Sequence, residues 1–122
     1  MADRIVLSNM AFESRHGVLP REKVEAQRFE VDLELELDLG PAGESDDLTR
    51  TVDYGPVHEL VRGVVEGPSV ELLETLAERI AAAVLAAFPA VEAVTVRVRK
   101  PEVRLGGPLD YAGVEITRRR AG

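Results

Sequence analysis

The sequence predicts an α+β fold, in which a four-stranded antiparallel sheet carries two helices on one face in the order ββααββ. Four short segments alternate apolar and polar residues, which is typical of half-buried strands. Two central segments repeat apolar residues at every third or fourth position, which indicates amphipathic helices. The 122 residues contain no repeat and no linker. We therefore expect one domain over residues 1–122.

The first two predicted strands lie before the helices. Residues 28–39 place apolar side chains on one parity and five acids on the other, so that one face of this strand is buried. Near the start of the chain, the apolar parity changes between Leu7 and Met10. Such a change predicts a β-bulge around Asn9.

The two predicted helices lie between glycine and proline breaks. The first begins near Tyr54 and ends before Gly67, and the second runs from about Leu73 until Pro89. Glycine and proline commonly mark the ends of helices, which sets these limits. Both helices have one apolar stripe, so we expect both to cover the same face of the sheet.

The last two predicted strands, residues 94–99 and 111–118, leave a charged face uncovered. The acids of residues 28–39 would lie near Arg97 and Arg99 there, and cross-strand pairing would offset their repulsion. We interpret this face as solvated. The alternative is a charged inner wall in a ring of subunits, which would also pair the open sheet edges. We expect a solvated strand end at Arg118, Arg119 and Arg120.

Composition excludes several classes of function. The chain has 22 acids against 15 bases, which disfavours nucleic acid as a partner. It has no cysteine and two histidines, so we expect no metal site in one chain. The longest apolar run, residues 80–88, is too short to span a membrane. These features predict a soluble, cytoplasmic protein, and its small core suggests that a pocket uses a second chain.

Lys100 is the most unusual placement in the sequence. It shares the parity of the buried valines of its strand and so should point towards the helix-covered side, where lysine is rare. One interpretation is a snorkelling side chain whose ammonium reaches water. The other is an amine whose pKa is tuned for proton transfer or imine formation. Position alone leaves both open.

Other candidate residues are each unspecific alone. Glu74 lies in the first turn of the second helix, where it either stabilises the helix dipole or takes two parallel N–H donors from a guanidine-like ligand edge. Tyr54 either packs at the start of the first helix or faces a ligand. Glu22, His16 and Gly17 lie between the first two strands, where they are surface-loop residues or part of a site.

Together these residues form a pattern that resembles dihydroneopterin aldolase of folate biosynthesis, over about residues 3–118. The matching stretches are His16-Gly-Val18, Glu22, Ser45-Asp-Asp-Leu48, Thr51-Val-Asp-Tyr54, Leu72-Leu-Glu-Thr75 and Lys100-Pro101. The resemblance implies the family's tunnelling fold. It also implies a homo-oligomer with sites at subunit interfaces, built from tetrameric rings that stack as a homo-octamer.

The resemblance assigns the residues of one subunit to two tasks. Glu74 would hold the 2-amino and N3 hydrogens of the pterin, helped by backbone groups around Leu72 and Leu73. Lys100 would be the key acid-base group, acting with a bound water. Glu22 would order that water and the hydroxylated side chain of the substrate.

A neighbouring subunit would complete the site. Its Tyr54 would stack near the pterin and assist proton transfer. The loop near the pterin would be shaped by His16 and Gly17. The neighbour's pocket wall would consist of Thr51, Val52 and Asp53.

The implied reaction is a metal-independent retro-aldol cleavage of 7,8-dihydroneopterin. It yields 6-hydroxymethyl-7,8-dihydropterin and glycolaldehyde, with the pterin C6–N5 imine accepting the electrons, so no cofactor is implied. An epimerase side activity is also expected. Two alternatives stay open: an epimerase of dihydroneopterin or its triphosphate, and a non-catalytic pterin-binding ring protein.

Overall fold

The computed structural model describes residues 3–121, so residues 1, 2 and 122 of the predicted domain lie outside the described residues. The strands are β1 (Arg4–Ser14), β2 (Gln27–Glu36), β3 (Ala93–Lys100) and β4 (Ala112–Arg119). The helices are α1 (Gly40–Ser45), α2 (Tyr54–Val65) and α3 (Leu73–Ala87). Within residues 3–121, no helix is long and apolar enough to cross a membrane.

The four strands form one antiparallel sheet in the order β1-β2-β3-β4. Helix α2 packs on β1, and α3 packs on β3 and β4. This confirms the predicted α+β class, the strand order and the helical layer on one face. β1 and β4 are the two edges of the sheet.

The core lies between the sheet and the helices α2 and α3. Alternate residues of β2 and β3 meet the apolar stripes of both helices, and the largest buried side chains include Phe29, Leu33, Leu35, Leu76 and Ile80. Full burial of such a side chain stabilises the fold by about 1.5–3 kcal/mol. The alternation seen in the sequence therefore places the core correctly.

A β-bulge interrupts the pairing of β1 with β2, as the change of parity predicts. The register shifts between Leu7 and Met10, and Asn9 has a φ of 57°. Asparagine tolerates this left-handed conformation better than most residues. The Asn9 N–H donates to Asp32 Oδ1 at 2.6 Å, which holds the bulge against β2.

Helix α1 was not predicted. Helix α1 follows β2, although Gly40, Pro41 and Gly43 were expected only to end the strand. Proline is tolerated in the first turn of a helix, where its missing N–H is not needed. Asp46 then closes α1 in the left-handed conformation, with a φ of 57°.

The uncovered face of the sheet carries an ordered array of ion pairs. Arg97 lies between Glu34 and Glu115, with its Nε 2.6 Å from the Glu115 carboxylate. Hydrogen bonds from Arg97 keep the pKa of Glu34 below its ordinary value, although partial burial opposes this shift. The acid row of β2 is thus neutralised within one chain.

The terminal arginines are exposed, as expected for a solvated strand end, and each also has a partner within the chain. Arg118 donates to Glu78 of α3 at 3.0 Å, and Arg119 lies 3.3 Å from Glu36. Arg120 binds the C-terminal end of α3 and the turn after it, donating to the carbonyls of Leu85, Phe88 and Val91. A cation there also complements the negative end of the helix dipole.

Candidate active site

Lys100 forms an ion pair with Glu22 at one end of the sheet. Lys100 is the last residue of β3, and Glu22 lies in a 3-10 turn, Pro20–Lys23, of the loop between β1 and β2. The Lys100 Nζ donates to Glu22 Oε2, and each side chain is only 12% exposed. The ammonium therefore ends on a carboxylate rather than in open water.

The Glu22 carboxylate is held in its ionised form by its donors. The Leu19 N–H and Gln27 Nε2 donate to it at 3.3 and 3.2 Å, in addition to Lys100. Burial acts to raise the pKa of Glu22, but these hydrogen bonds outweigh it and leave the pKa below its ordinary value. Glu22 is thus an anion at neutral pH.

Gly17 makes room for this carboxylate. Its φ is 149°, and a Cβ built on it would lie 2.3 Å from the Cδ of Glu22. Only glycine fits such a close approach without displacing the carboxyl group. The Gly17 carbonyl also accepts a hydrogen bond from Lys23 Nζ at 3.0 Å.

His16 is buried behind the ion pair and uses both ring nitrogens. Its ring is 1% exposed and packs edge-on against Phe29. The Val70 N–H donates to Nδ1 at 3.1 Å, so Nε2 carries the proton and donates to the Val65 carbonyl at 2.6 Å. Burial and the nearby Lys100 charge lower the pKa of His16, whereas its hydrogen bond to Val65 opposes them.

The start of α3 lies beside the same loop. The Gly17 N–H donates to the Val70 carbonyl at 2.9 Å, and Lys23 Nζ lies 3.6 Å from Glu71. Two residues later, Leu73 begins α3, and Glu74 is exposed in the first turn. Leu72 is the extended N-cap residue of this helix. Contacts through Val70 thus connect the start of α3 to the Glu22 loop.

An open cavity of about 480 Å³ adjoins the ion pair. Residues of the β1–β2 loop line one side, and residues that follow β3 line the other. Glu22 and Lys100 belong to this lining, whereas Glu74 and Tyr54 do not. In one chain, the cavity therefore exposes the charged pair but is not closed by the start of α3.

Tyr54 and its neighbours lie at the other end of α2. Helix α2 runs for 12 residues from Tyr54 to Val65, and it is the Val65 carbonyl that contacts His16. At a rise of 1.5 Å per residue, this separates the two ends by about 17 Å. Tyr54 is 66% exposed there. The preceding residues are Thr51, the buried Val52, and Asp53, which caps α2.

The structure thus brings Glu22, Lys100, His16 and Gly17 together in one chain, with the start of α3 beside them. Residues 51–54 belong to a separate region of the same chain. Sequence reasoning missed the supporting residues, which are Leu19, Lys23, Gln27, Val70 and Glu71. Several of them act through backbone groups or exposed side chains, which leave no pattern in a sequence.

The family model for dihydroneopterin aldolase matches residues 5–117. The dihydroneopterin aldolase of Methylorubrum extorquens is 46% identical over 121 residues, which cover 99% of this chain and 93% of that protein. The dihydroneopterin aldolase of Bacillus subtilis is 43% identical over 119 residues, which cover 98% and 99% of the two chains.

Solved structures show the same architecture. The crystal structure of Escherichia coli dihydroneopterin aldolase in complex with neopterin has a TM-score of 0.88 and 28% identity, and the match covers 95% of this chain and 98% of that one. The Burkholderia enzyme bound to guanine has a TM-score of 0.76 and 30% identity, with 98% and 92% covered.

Proposed function

The chain belongs to the dihydroneopterin aldolase family, a family of aldehyde-lyases, and we propose that it cleaves 7,8-dihydroneopterin in folate biosynthesis. The products are 6-hydroxymethyl-7,8-dihydropterin and glycolaldehyde. The Lys100–Glu22 ion pair on the wall of an open cavity is the observation that supports this function most directly. The reaction is a retro-aldol cleavage that uses proton transfer alone and no metal.

Lys100 and Glu22 divide the proton chemistry. Removal of the proton from the 2′ hydroxyl of the substrate drives cleavage of the adjacent carbon-carbon bond. The electrons pass to the C6–N5 imine of the pterin, and N5 takes up a proton. The C1′ carbon of the resulting enol is then protonated while N5 releases its proton, which restores the imine in the 6-hydroxymethyl product. Lys100 moves these protons through a bound water, because an amine can exchange a proton that a guanidinium cannot. Glu22 orders the water and the hydroxylated side chain.

Glu74 binds the flat edge of the pterin. Its exposed carboxylate at the start of α3 takes the 2-amino and N3 hydrogens in two parallel hydrogen bonds. Backbone groups around Leu72 and Leu73 complete this edge. The relatives solved with neopterin and with guanine support such a ligand, because both molecules carry an amino group beside a ring N–H.

A second copy of the chain completes the site. Within one chain Tyr54 lies about one helix length from the Lys100–Glu22 end, so it reaches a pterin there only from a neighbour. The same neighbour supplies the wall of Thr51, Val52 and Asp53. We therefore propose a homo-oligomer of tetrameric rings, stacked as an octamer. The open edges β1 and β4 support ring closure.

In this assembly, His16 and Gly17 belong to the loop that shapes the substrate site. The cytoplasmic location and the epimerase side activity stay predictions. Neither is needed for the aldolase proposal.

Product analysis tests the proposed reaction. Protein treated with chelator is incubated with 7,8-dihydroneopterin, and we expect stoichiometric glycolaldehyde and 6-hydroxymethyl-7,8-dihydropterin. Folded protein that binds neopterin but releases no glycolaldehyde would contradict the proposal and favour the non-catalytic ring protein. An activity lost with chelator and restored by metal would contradict the metal-independent mechanism.

The role of Glu74 is tested by binding. Glu74→Ala leaves the pterin edge without its acceptor, which costs about 1–3 kcal/mol and weakens neopterin binding about 5- to 150-fold. Glu78→Ala, one turn later on α3, is the matched control. Equal neopterin affinity of both variants by calorimetry would show that Glu74 is not the anchor.

One observation favours a second candidate, an epimerase of dihydroneopterin triphosphate. Arg21 and Arg104 both line the cavity beside Lys100, and both are exposed. Two guanidinium groups at the mouth of a site suit a phosphorylated substrate tail. Turnover of the free and triphosphorylated substrates distinguishes the two functions. If the epimer of the triphosphate is the sole product, the aldolase assignment is wrong.

A further inference from the structure

The dipeptide His16–Gly17 contacts both halves of the candidate site. On one side, Gly17 packs against the Glu22 carboxylate, which binds Lys100. On the other side, His16 and Gly17 together hold both backbone groups of Val70. The Val70 N–H donates to His16 Nδ1 at 3.1 Å, and the Gly17 N–H donates to the Val70 carbonyl at 2.9 Å.

His16 has no nitrogen left for a substrate. Nδ1 accepts from Val70, Nε2 donates to Val65, and the ring is 1% exposed. The ring thus joins the end of α2 to the segment that leads into α3. A neutral ring is required, because a protonated Nδ1 could not accept the hydrogen bond from Val70.

We propose that His16 is a positioning residue, which sets the position of the α3 start relative to the Lys100–Glu22 pair through its hydrogen bond to Val70. The inference rests on the proposed function, because the α3 start is there the pterin anchor and Lys100 the acid-base group. The ring itself touches no substrate. Its contribution is the distance between the bound pterin edge and the reacting hydroxyl.

This role predicts a loss of turnover without an equal loss of binding. A displacement of about 1 Å between a substrate and its catalytic group can cost about 100-fold in rate. Guanine carries the pterin-like edge but no side chain that could react, so its affinity reports the anchor alone. Turnover of dihydroneopterin reports the anchor together with its distance from Lys100.

Two substitutions separate the two hydrogen bonds of the ring. In His16→Asn, the short amide places an oxygen near the Nδ1 position, so that it can still accept from Val70. In His16→Gln, the longer amide places its nitrogen near the Nε2 position, so that it can donate to Val65 but leaves Val70 without its acceptor. His58→Asn, on the surface of α2, is the matched control.

We expect a 10- to 100-fold lower kcat for His16→Gln, a smaller loss for His16→Asn, which keeps the acceptor for Val70 but loses the donor to Val65, and a kcat within about threefold of the unchanged chain for His58→Asn. Guanine affinity should change less than threefold in all of them. Hydrogen exchange of the Val70 amide, measured by NMR, should accelerate only in His16→Gln. This exchange measurement does not depend on the aldolase reaction, so it tests the hydrogen bond between His16 and Val70 even if the proposed reaction is wrong.

Two results would overturn the inference. One is an equal kcat for the Asn and Gln variants, or a kcat that follows the melting temperature of each variant. The other is a loss of guanine binding in proportion to kcat. If both His16 variants unfold, Lys23→Met is the variant to measure. The exposed Lys23 joins the same two segments as His16, because it contacts the Gly17 carbonyl and Glu71. An unchanged kcat in Lys23→Met would then reject the proposal that contacts with this loop position the α3 start, and a reduced kcat with guanine binding retained would support it.

Discussion

Arg99 and Lys100 are consecutive residues of β3 whose side chains lie on opposite faces of the sheet. Both are mostly buried, with 15% and 12% of their side chains exposed, and both pair with carboxylates. Arg99 binds the carboxylates of Asp32 and Glu30, the latter at 3.3 Å. It also donates to the side-chain oxygen of Asn9 at 3.0 Å.

The difference between the two cations lies in what remains free. Arg99 is surrounded by acceptors, and the ring of Tyr111 lies 5.7 Å from its guanidinium. Lys100 has one carboxylate partner, Glu22, and an open cavity on its other side. A guanidinium that is surrounded by acceptors stabilises the uncovered face of the sheet. An ammonium with donors to spare can take a substrate oxygen or a water.

Substitution of Lys100 by an uncharged side chain should have the largest effect on activity. Lys100→Met retains most of the aliphatic volume but removes the exchangeable proton, so we expect kcat for 7,8-dihydroneopterin to fall about 10²- to 10⁴-fold. Neopterin should still bind, because we propose that its edge is held at Glu74. Steady-state kinetics and calorimetry measure the two quantities.

Arg99→Met is the matched control for this experiment. It replaces the neighbouring cation on the opposite face with the same side chain, and we expect kcat within about threefold of the unchanged chain. A comparable fall in kcat for both variants would mean that Lys100 acts through the general stability of β3. Full turnover in Lys100→Met would remove Lys100 from the mechanism.

Much of the fold could be predicted because one parity rule governs both faces. The alternation in residues 28–39 predicts the buried face of β2 and the acidic face that Arg97 and Arg99 neutralise. Helix α1 escaped prediction because Gly40 and Pro41 signal a break, while Pro41 in fact sits at a helix start. The contacts of Arg120 with α3 depend on where the chain end passes, which no local pattern encodes.

The site could be predicted only in part, because contacts between distant segments of the chain leave no local pattern in the sequence. Lys100 was conspicuous from parity alone, whereas Glu22, His16 and Gly17 stood out only through the resemblance to a family. Their arrangement depends on tertiary hydrogen bonds, such as the one that joins His16 to Val70 across 54 positions. A loop residue that binds the backbone of a distant segment carries no periodic signal of its own.

The second prediction concerns stability and its dependence on pH. Arg99→Met leaves Asp32 without its main partner and removes the second arginine partner of Glu30, so we expect about 1–3 kcal/mol of lost stability at pH 7. Burial acts to raise the pKa of Asp32, but Arg99 and the Asn9 N–H hold it below its ordinary 3.8. For Glu30, hydrogen bonds from Arg28 and then Arg99 outweigh burial and lower the pKa from 4.5.

The sign of the pH effect follows from these shifts. Carboxylates whose pKa is lowered by folding stabilise the native state above their unfolded pKa, and this stabilisation is lost as the pH falls through their folded pKa. When the free energy of unfolding in urea is measured between pH 7 and pH 2, Arg99→Met should therefore lose less stability than the unchanged chain below about pH 4.5. If the unfolding free energies of the two proteins followed parallel curves against pH, Arg99 would not be the group that lowers the pKa values of Asp32 and Glu30.

The smallest effect on stability is expected when a cation keeps its charge but changes its chemical type. Arg99→Lys keeps the charge but replaces the planar fork that spans Asp32, Glu30 and Asn9, so we expect a loss of about 1 kcal/mol and unchanged kcat. Lys100→Arg also keeps its charge beside Glu22, yet a guanidinium does not release its proton at neutral pH, and kcat should fall as far as in Lys100→Met. If Lys100→Arg retained turnover, charge alone would suffice on this face too, and the distinction between the two neighbouring cations would disappear.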